Sequence, residues 1–287
     1  MGKTPSLVRQ IDLMLNSMVC AGQSKHTAKA ESETPNHLEG IYSYQTLRSY
    51  LKQCCEFASW AKAQHGGKYL SDIRAHVPEY LRMRIAAGVS PYTVRLDASA
   101  FSKLYQCSSR DWGVVLPRRE RVNITRSRGP RKHDAEFSES RNAAAVGFCK
   151  GTGLRKHELV ALLPQNIASD GSSVTVIKGK GGKTRTVPVL PIFQAHVAAM
   201  REGAIAEGRD RVFMRSEVKN RMDEHGYRRE YAQALYTLFE SSGLNVTNTR
   251  YHCRKDKSGI SYDRGVMAAV SQALGHSRID VIAGSYL

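Results

Sequence analysis

The chain has 287 residues, which is enough for two domains and a sizeable hydrophobic core. Lysine and arginine together number 43 against 26 aspartate and glutamate residues, so the formal net charge is +17. This excess predicts a polyanionic partner, and nucleic acid is a better candidate than an anionic membrane surface. No apolar run approaches the roughly 18 residues of a spanning helix, and no signal-peptide pattern opens the chain, so we expect an intracellular protein.

The six cysteines form no Cys-x-x-Cys pair, and two of them, Cys54 and Cys55, are adjacent. This spacing argues against a zinc site, so we expect no bound metal. The cysteines are instead predicted to act as small buried hydrophobic residues in a reducing cytosol.

Apolar residues recur at helical spacing through the first hundred residues. Residues 1–107 are therefore predicted to form a compact all-helical domain. The predicted helices cover residues 6–31, 43–64, 78–88 and 90–105, and a connection is predicted over residues 68–75.

Residues 108–133 show neither a helical nor a strand period and are rich in basic side chains. They are predicted to link two domains, either as a solvated tether or as a basic strap that lies along a phosphate backbone. The candidate DNA-binding residues in this segment are Arg118, Arg119, Arg126, Arg128, Arg131 and Lys132.

The second domain is predicted over residues 134–287, and its first helix ends at the turn Gly151-Thr152-Gly153. Arg155 and Glu158 follow at i, i+3 spacing on a second predicted helix. A β-hairpin comes next, with the strands Val174–Ile177 and Thr186–Val189 on either side of a glycine- and lysine-rich tip. The tip is not a Walker A loop, because that motif needs a glycine at Ile177 and leads into a helix.

The remainder of the chain is predicted to be helical, over residues 191–206, 226–238, 251–261 and 266–275. The predicted fold class is therefore mainly α with a small β-hairpin, in the α+β class. Two short motifs stand out near the end of the chain, and Tyr286 lies ten residues beyond His276 of the second one. They are Tyr251-His252-Cys253-Arg254 and Leu274-Gly275-His276-Ser277.

Together these motifs resemble the tyrosine recombinase family, the phage-type integrases. The resemblance covers the whole second half of the chain in the order that the family shows: GTGLRKHEL, GKGGKTRTVP, the Arg254 segment, LGHS and the final tyrosine. The first half is similar, more loosely, to the family's SAM-like core-binding domain. The resemblance thus implies a DNA-binding domain over residues 1–107 and a catalytic domain over residues 134–287.

The resemblance also implies a role for each candidate residue. Arg155 and Arg254 would hold the non-bridging oxygens of a phosphodiester, since guanidinium groups form forked hydrogen bonds to such oxygens. His276 would donate to the same phosphate, and Tyr286 would attack it to give a 3′-phosphotyrosyl intermediate. Because a strand's 5′ hydroxyl can reverse that step, no cofactor, ATP or metal is expected.

The hairpin tip supplies the remaining catalytic candidate. Lys180 is similar to the lysine that protonates the departing 5′ oxygen in the family, and Lys183 and Lys178 are nearby rivals. Lys183 is also a candidate DNA-binding residue.

Three departures from the family pattern matter. The family usually has His-x-x-Arg before its second arginine, whereas here Tyr251 stands three residues before Arg254 and His252 stands two before. On a predicted helix Tyr251 would take the histidine's place. The step from His276 to Tyr286 is one residue longer than is usual in the family. One residue follows Tyr286, so either the natural chain continues further or the family's docking contact with a neighbouring protomer is made differently.

The resemblance predicts an enzyme, a site-specific DNA recombinase or integrase of mobile genetic elements, located in the cytoplasm on DNA. The partners it implies are duplex DNA, further copies of this chain in a tetrameric synapse, and DNA-bending accessory proteins, with no membrane. Two alternatives remain open. One is a catalytically impaired DNA-binding protein on the same fold, and the other is a relaxing enzyme similar to type IB topoisomerases.

Overall fold

A computed structural model of the protein describes residues 4–23, 25–32, 38–120, 137–179, 182–254 and 257–287. The chain divides into two compact units, Met1–Arg126 and Ser127–Leu287. In the described ranges the secondary structure is helical except for two small two-stranded antiparallel sheets, both in the second unit. The predicted fold class, mainly α with a small β component, is confirmed.

The described helices of the first unit enclose an aromatic core. Ser43 starts the longest of them by accepting a hydrogen bond from the Thr46 amide at 3.1 Å. Phe57 of this helix is fully buried, with its ring centroid 4.9 Å from that of Phe101. The helices are α1 (Leu7–Ser17), α2 (Lys25–Glu31), α3 (Tyr44–His65), α4 (Leu70–Arg74), α5 (Val77–Ala86) and α6 (Pro91–Leu104).

Two expectations for this unit were wrong. The helix predicted over residues 6–31 is interrupted after α1, where Val19 forms an isolated bridge with Ile41. The connection predicted over residues 68–75 contains α4, because the Asp72 carboxylate accepts hydrogen bonds from two backbone amides at the start of that turn, each at 2.9 Å.

The beginning of the predicted linker packs on the first unit. Trp112 is buried, and its indole Nε1 donates to the Ser102 hydroxyl at 2.9 Å. Arg95 donates to the backbone carbonyls of Leu116 and Pro117. Residues 108–117 are therefore held by side-chain contacts and are not a free tether.

The second unit is built around α10, which packs against α7 and α11. Its buried face includes Tyr231 and Leu235. The described elements are α7 (Ala143–Thr152), α8 (Lys156–Ala161), β1 (Ser173–Val176), β2 (Arg185–Pro188), α9 (Gln194–Ala206), α10 (Glu224–Ser241), β3 (Arg250–His252), β4 (Ser261–Asp263), α11 (Arg264–Ala273) and α12 (Asp280–Ser285).

The predicted hairpin is confirmed as β1 and β2. Val174 pairs with Val187, and Val176 pairs with Arg185. All four of these side chains are buried. An arginine thus lies on the apolar face of the hairpin, directed toward the interior of the unit.

The prediction of a helix over residues 251–261 was wrong, because the described ends of this segment belong to β3 and β4, which pair as antiparallel strands. Tyr251 pairs with Tyr262 across these strands, and aromatic pairs of this kind favour strands. The buried Asp263 carboxylate accepts hydrogen bonds from the Gly265 and Val266 amides. It therefore caps α11 and fixes the start of that helix at residue 264.

The turn between α7 and α8 depends on Gly153. This residue is left-handed, with φ of 59°, and a Cβ atom there would lie 2.4 Å from Tyr231 Cδ1. A side chain would therefore be strained in its backbone and would also overlap α10. The turn places Arg155 two residues later at the start of α8.

We expect Gly153→Ala to destabilise the protein by about 3 kcal/mol, because left-handed strain and overpacking add. Gly208→Ala is the matched control, since Gly208 has φ of 64° but no atom within 4 Å of its added Cβ. The control should lose only about 1 kcal/mol. Urea denaturation of both variants measures the difference, and equal losses would contradict the packing argument.

Candidate active site

Arg155 begins the site at the N-terminus of α8. Its backbone amide donates to Glu158 Oε2 at 2.9 Å, and its guanidinium donates to Glu158 Oε1 at 3.0 Å. The carboxylate one turn into the helix thus satisfies an amide that has no helical partner and also orients the arginine.

Arg185 reaches the same carboxylate from β2. Its two terminal nitrogens donate to the two oxygens of Glu158 at 3.0 and 2.9 Å, as a two-pronged ion pair. Its Nε donates to the Ala273 carbonyl at the end of α11, at 2.8 Å. One buried arginine therefore ties the hairpin to α8 and to α11.

The pKa of Glu158 is lowered to about 2. Burial acts to raise it, but hydrogen bonds from Arg185 and from the Arg155 amide, together with the charges of both guanidinium groups, outweigh the burial. Glu158 is therefore ionised at neutral pH and keeps both arginines in place.

His276 and Tyr286 meet in the segment that follows α11. His276 Nε2 lies 3.1 Å from the Tyr286 hydroxyl, and the two ring centroids are 5.5 Å apart. The His276 amide donates to the Ser271 carbonyl, which fixes the loop that follows α11. Tyr286 follows α12 and is buried, with 9% of its surface exposed.

A cavity of about 270 Å³ opens beside His276. Its lining includes Lys183 and Thr184 next to β2, and Gln272 and Ser277 from α11 and the loop that follows it. Lys178, the other rival lysine, lines a separate cavity of about 50 Å³. Lys180 lies outside the described residues, so its predicted role stays a prediction.

The segment that carries Arg254 lies on the surface. Arg254 and His252 are exposed, whereas Tyr251 is half-buried and packs against the core. No hydrogen bond or ion pair within the described residues joins Arg254 to Arg155, His276 or Tyr286. Because β3 is a strand, the helical phase that favoured Tyr251 over His252 does not apply.

Arg228 is a residue of the site that sequence reasoning missed. It lies on α10 and is 1% exposed, and its guanidinium carbon is 5.9 Å from the centroid of the Tyr286 ring. Two signals could have found it. Arg228 lies on the buried stripe with Tyr231 and Leu235, and His225 stands three residues before it, which makes a His-x-x-Arg tetrad.

Of the candidate DNA-binding residues, Arg118, Arg119 and Lys183 are described, and all three are exposed. The Arg119 guanidinium lies over the Tyr92 ring, 5.7 Å from its centroid. The other four, Arg126, Arg128, Arg131 and Lys132, lie outside the described residues.

One group of potential metal ligands occurs in the described ranges, in the first unit, formed by His65, His76 and Glu79. The two imidazole rings are stacked 3.7 Å apart and only 6° from parallel. Their in-plane lone pairs therefore run side by side and do not converge on one ion. As for membranes, no helix among the described residues is long and apolar enough to span a bilayer.

The sequence profile of the phage integrase family matches residues 131–287, more than half of the chain, and the protein belongs to this family. Tyrosine recombinase XerC of Mesorhizobium japonicum is 44% identical over 62 residues, which are 22% of this chain and 20% of that protein. Tyrosine recombinase XerD of Rhizobium meliloti is 29% identical over 151 residues, which are 51% of this chain and 47% of that protein. The chain thus aligns with about a fifth and about half of these two relatives.

Two solved structures share the fold. The XerH site-specific recombinase bound to difH substrate, in a pre-cleavage complex, has a TM-score of 0.52 and 17% identity, over 96% of this chain and 88% of that chain. The Tn1549 transposon integrase in complex with transposon right end DNA has a TM-score of 0.50 and 12% identity, over 92% of this chain and 95% of that chain.

We expect Glu158→Gln to destabilise the protein by about 3–5 kcal/mol at pH 7, because it leaves two arginines without their carboxylate. The folded-state pKa of Glu158 is depressed, so its contribution is present above the unfolded value of about 4.5 and is lost as the pH falls toward 2. The difference between variant and wild type should therefore shrink below about pH 4.5.

Denaturation curves of both proteins between about pH 7 and pH 3 measure this difference. Glu202→Gln is the control, because Glu202 pairs with Arg201 but its side chain is 60% exposed. This variant should lose less than about 1 kcal/mol of unfolding free energy. A Glu158→Gln deficit that stays constant down to pH 3 would show that the carboxylate charge is not the cause.

Proposed function

We propose that this protein is a site-specific DNA recombinase that cuts and rejoins duplex DNA through a 3′-phosphotyrosyl intermediate. The observation that carries the proposal is the 3.1 Å contact between His276 Nε2 and the Tyr286 hydroxyl. A histidine within reach of a tyrosine hydroxyl, close to a buried arginine, suits attack on a phosphodiester. Membership of the phage integrase family and the names of the relatives support the same reaction.

In the first step the Tyr286 oxygen attacks the phosphorus and loses its proton, and the bond to the 5′ oxygen breaks. A tyrosine side chain in water has a pKa of about 10, so only about 0.1% of such a group is ionised at neutral pH. Activation therefore requires a cationic pocket and removal of the proton. His276 is placed to share a proton with the hydroxyl, or to donate to the phosphate once the tyrosine has turned toward it.

Arg155 would bind the non-bridging oxygens, on which negative charge grows during the attack. Its side chain is 12% exposed and is held by Glu158, so the guanidinium is oriented before DNA arrives. Loss of one donor from such a charge clamp typically costs about a hundredfold in rate. Because Glu158 orients the guanidinium beforehand, this ordering does not add to the activation free energy of the reaction.

The second phosphate-binding arginine is assigned to Arg254 on family resemblance. Its exposed position after β3 allows contact with a DNA backbone, which is a reason to keep the assignment. Tyr251 and His252 remain candidates for the residue that assists it.

The departing 5′ oxygen needs a proton, and we assign the role of proton donor to Lys180. Lys183 is the first rival, because it lines the cavity next to His276. The same 5′ hydroxyl, or one from another strand, then attacks the phosphotyrosine and releases Tyr286. Each step exchanges one phosphoester for another, so the bond energy is conserved and no nucleotide hydrolysis is needed.

Duplex DNA is the proposed substrate, and the +17 net charge supports it. Arg118 and Arg119 are exposed for backbone contacts, and we assign the same role to Lys183 and to the basic residues 126, 128, 131 and 132. Strand exchange needs two duplexes, so we also propose that copies of this chain assemble on DNA as a tetramer.

We expect Tyr286→Phe to bind DNA with near-normal affinity and to form no covalent 3′ adduct, because the variant keeps every positive charge and lacks only the nucleophilic oxygen. A suicide DNA substrate carrying the recombination site traps the adduct, and peptide mapping locates the bond. Tyr262→Phe is the control, since Tyr262 packs edge-on against Tyr236 and has no proposed role.

The same assay separates the alternatives. A wild-type protein that binds but forms no adduct is the catalytically impaired binding protein. An adduct without strand exchange between two sites indicates a topoisomerase-like relaxing enzyme. An adduct that maps to another tyrosine contradicts the assignment of Tyr286.

A substrate with sulfur in place of the bridging 5′ oxygen identifies the general acid. A thiol has a pKa of about 8.5, so the sulfur can leave as a thiolate without receiving a proton. The lysine that protonates the oxygen in the normal substrate is then dispensable. We expect Lys180→Met to cleave the normal substrate at least about a hundredfold more slowly and to recover on the sulfur substrate. Recovery in Lys183→Met and not in Lys180→Met would reassign the role.

A further inference from the structure

The Arg228 guanidinium is a buried cation in the middle of the candidate active site. It is 1% exposed, and no carboxylate in the described ranges lies within ion-pair distance of it. Burying a charge without a counter-ion is costly, so such a group is retained where it serves a purpose other than stability.

Two backbone carbonyls accept its hydrogen bonds. The guanidinium donates to the Gly153 carbonyl and, at 3.0 Å, to the Leu274 carbonyl. These residues are the C-caps of α7 and α11, where helix dipoles place partial negative charge. Each carbonyl stands two residues before a proposed catalytic side chain, Arg155 in one case and His276 in the other.

The α10 helix also contacts the nucleophile. The Arg228 guanidinium carbon lies 5.9 Å from the centroid of the Tyr286 ring. One and a half turns further along α10, Gln233 donates to the Tyr286 backbone carbonyl at 3.0 Å. One helix therefore holds all three segments that carry the proposed catalytic groups Arg155, His276 and Tyr286.

We infer that Arg228 is a positioning residue of the cleavage reaction. It fixes the Arg155 and His276 segments relative to each other and places a permanent positive charge beside Tyr286, where a phenolate develops. This inference rests on the proposed function.

Electrostatics supports the proposed effect of the Arg228 charge on Tyr286. Burial lowers the pKa of Arg228, while charge on the Tyr286 phenolate acts to raise it. The guanidinium carbon lies 5.9 Å from the Tyr286 ring centroid, so it attracts the negative charge that develops on the oxygen during attack. The other charged or titratable groups that face this region are His276, at 3.1 Å from the hydroxyl, Lys257, which donates to the Ala283 and Leu287 carbonyls, and Arg155 and Glu158, which interact with Arg228.

The test compares Arg228→Met with Arg229→Met. Both variants lose one positive charge from neighbouring positions of α10, but Arg229 is only partly buried and has no proposed role. Measurements are DNA affinity, thermal unfolding, and single-turnover adduct formation on the suicide substrate between about pH 6 and pH 9.

We expect Arg228→Met to bind DNA like the control and to form the adduct about a hundredfold more slowly at neutral pH. The deficit should shrink as the pH rises, because hydroxide then supplies the phenolate that the guanidinium no longer favours. Arg228→Lys keeps the charge but cannot donate to both carbonyls with a planar guanidinium. It should therefore form the adduct more slowly than wild type, with a wild-type pH profile.

Three results would overturn the inference. They are an adduct rate for Arg228→Met equal to that of Arg229→Met, a deficit that is the same at every pH, and an Arg228→Lys protein as fast as wild type. If Arg228→Met does not fold, the rate and pH profile of Arg228→Lys decide the matter. A wild-type protein that forms no adduct contradicts the proposed function itself, so the two failures are distinguishable.

Discussion

The Glu158 carboxylate is the point on which the geometry of the second unit depends. It is almost fully buried, and it binds one arginine from its own helix and another from β2. A buried ion pair of this kind gains little net stability, because desolvation offsets the attraction, but its geometry is strongly directional. The ion pair thereby places the hairpin against the start of α8, where Arg155 lies. The tip of this hairpin bears the candidate lysines.

Arg185 and Arg228 perform the same mechanical task by different means. Arg185 is neutralised by Glu158 and uses its remaining nitrogen to hold the Ala273 carbonyl. Arg228 has no such carboxylate among the described residues; it donates to two backbone carbonyls and interacts with the Tyr286 side chain. The first arrangement cancels charge at the base of the site, and the second leaves it uncancelled beside Tyr286. A site that must hold a phosphate near a tyrosine gains from this distribution, because a fully neutralised pocket would attract neither the phosphate nor a phenolate.

The sequence predicted the elements whose signals are local. The turn ending at Gly153, the β1–β2 hairpin and the LGHS segment each depend on residues within a few positions of one another, and the structure has each of them where it was expected. The helix prediction for residues 251–261 was wrong because the apolar spacing there suits either a helix or a strand. The contacts that select the strand are with residues distant in the sequence. Tyr251 pairs across the hairpin with Tyr262, and Asp263 fixes the next helix. Arg228 was missed for a similar reason: local signals mark the residue, but the partners that define its role are carbonyls 75 and 46 residues away along the chain.

The net charge of +17 therefore overstates the number of cations that could contact the proposed DNA substrate. Arg185 and Arg228 are buried and cannot release counterions from a phosphate backbone, so they add nothing to the salt dependence of binding. The field of Arg228, which no carboxylate among the described residues neutralises, still reaches the site, and it does so through protein rather than water, where screening is weaker. Exposed residues such as Arg118, Arg119 and Lys183, which we propose contact DNA, would act in the opposite way, because salt screens their charges and their effect would fall on binding affinity. The basic composition that first indicated a nucleic-acid partner thus combines two populations, one suited to affinity and one suited to the chemistry of a single phosphate.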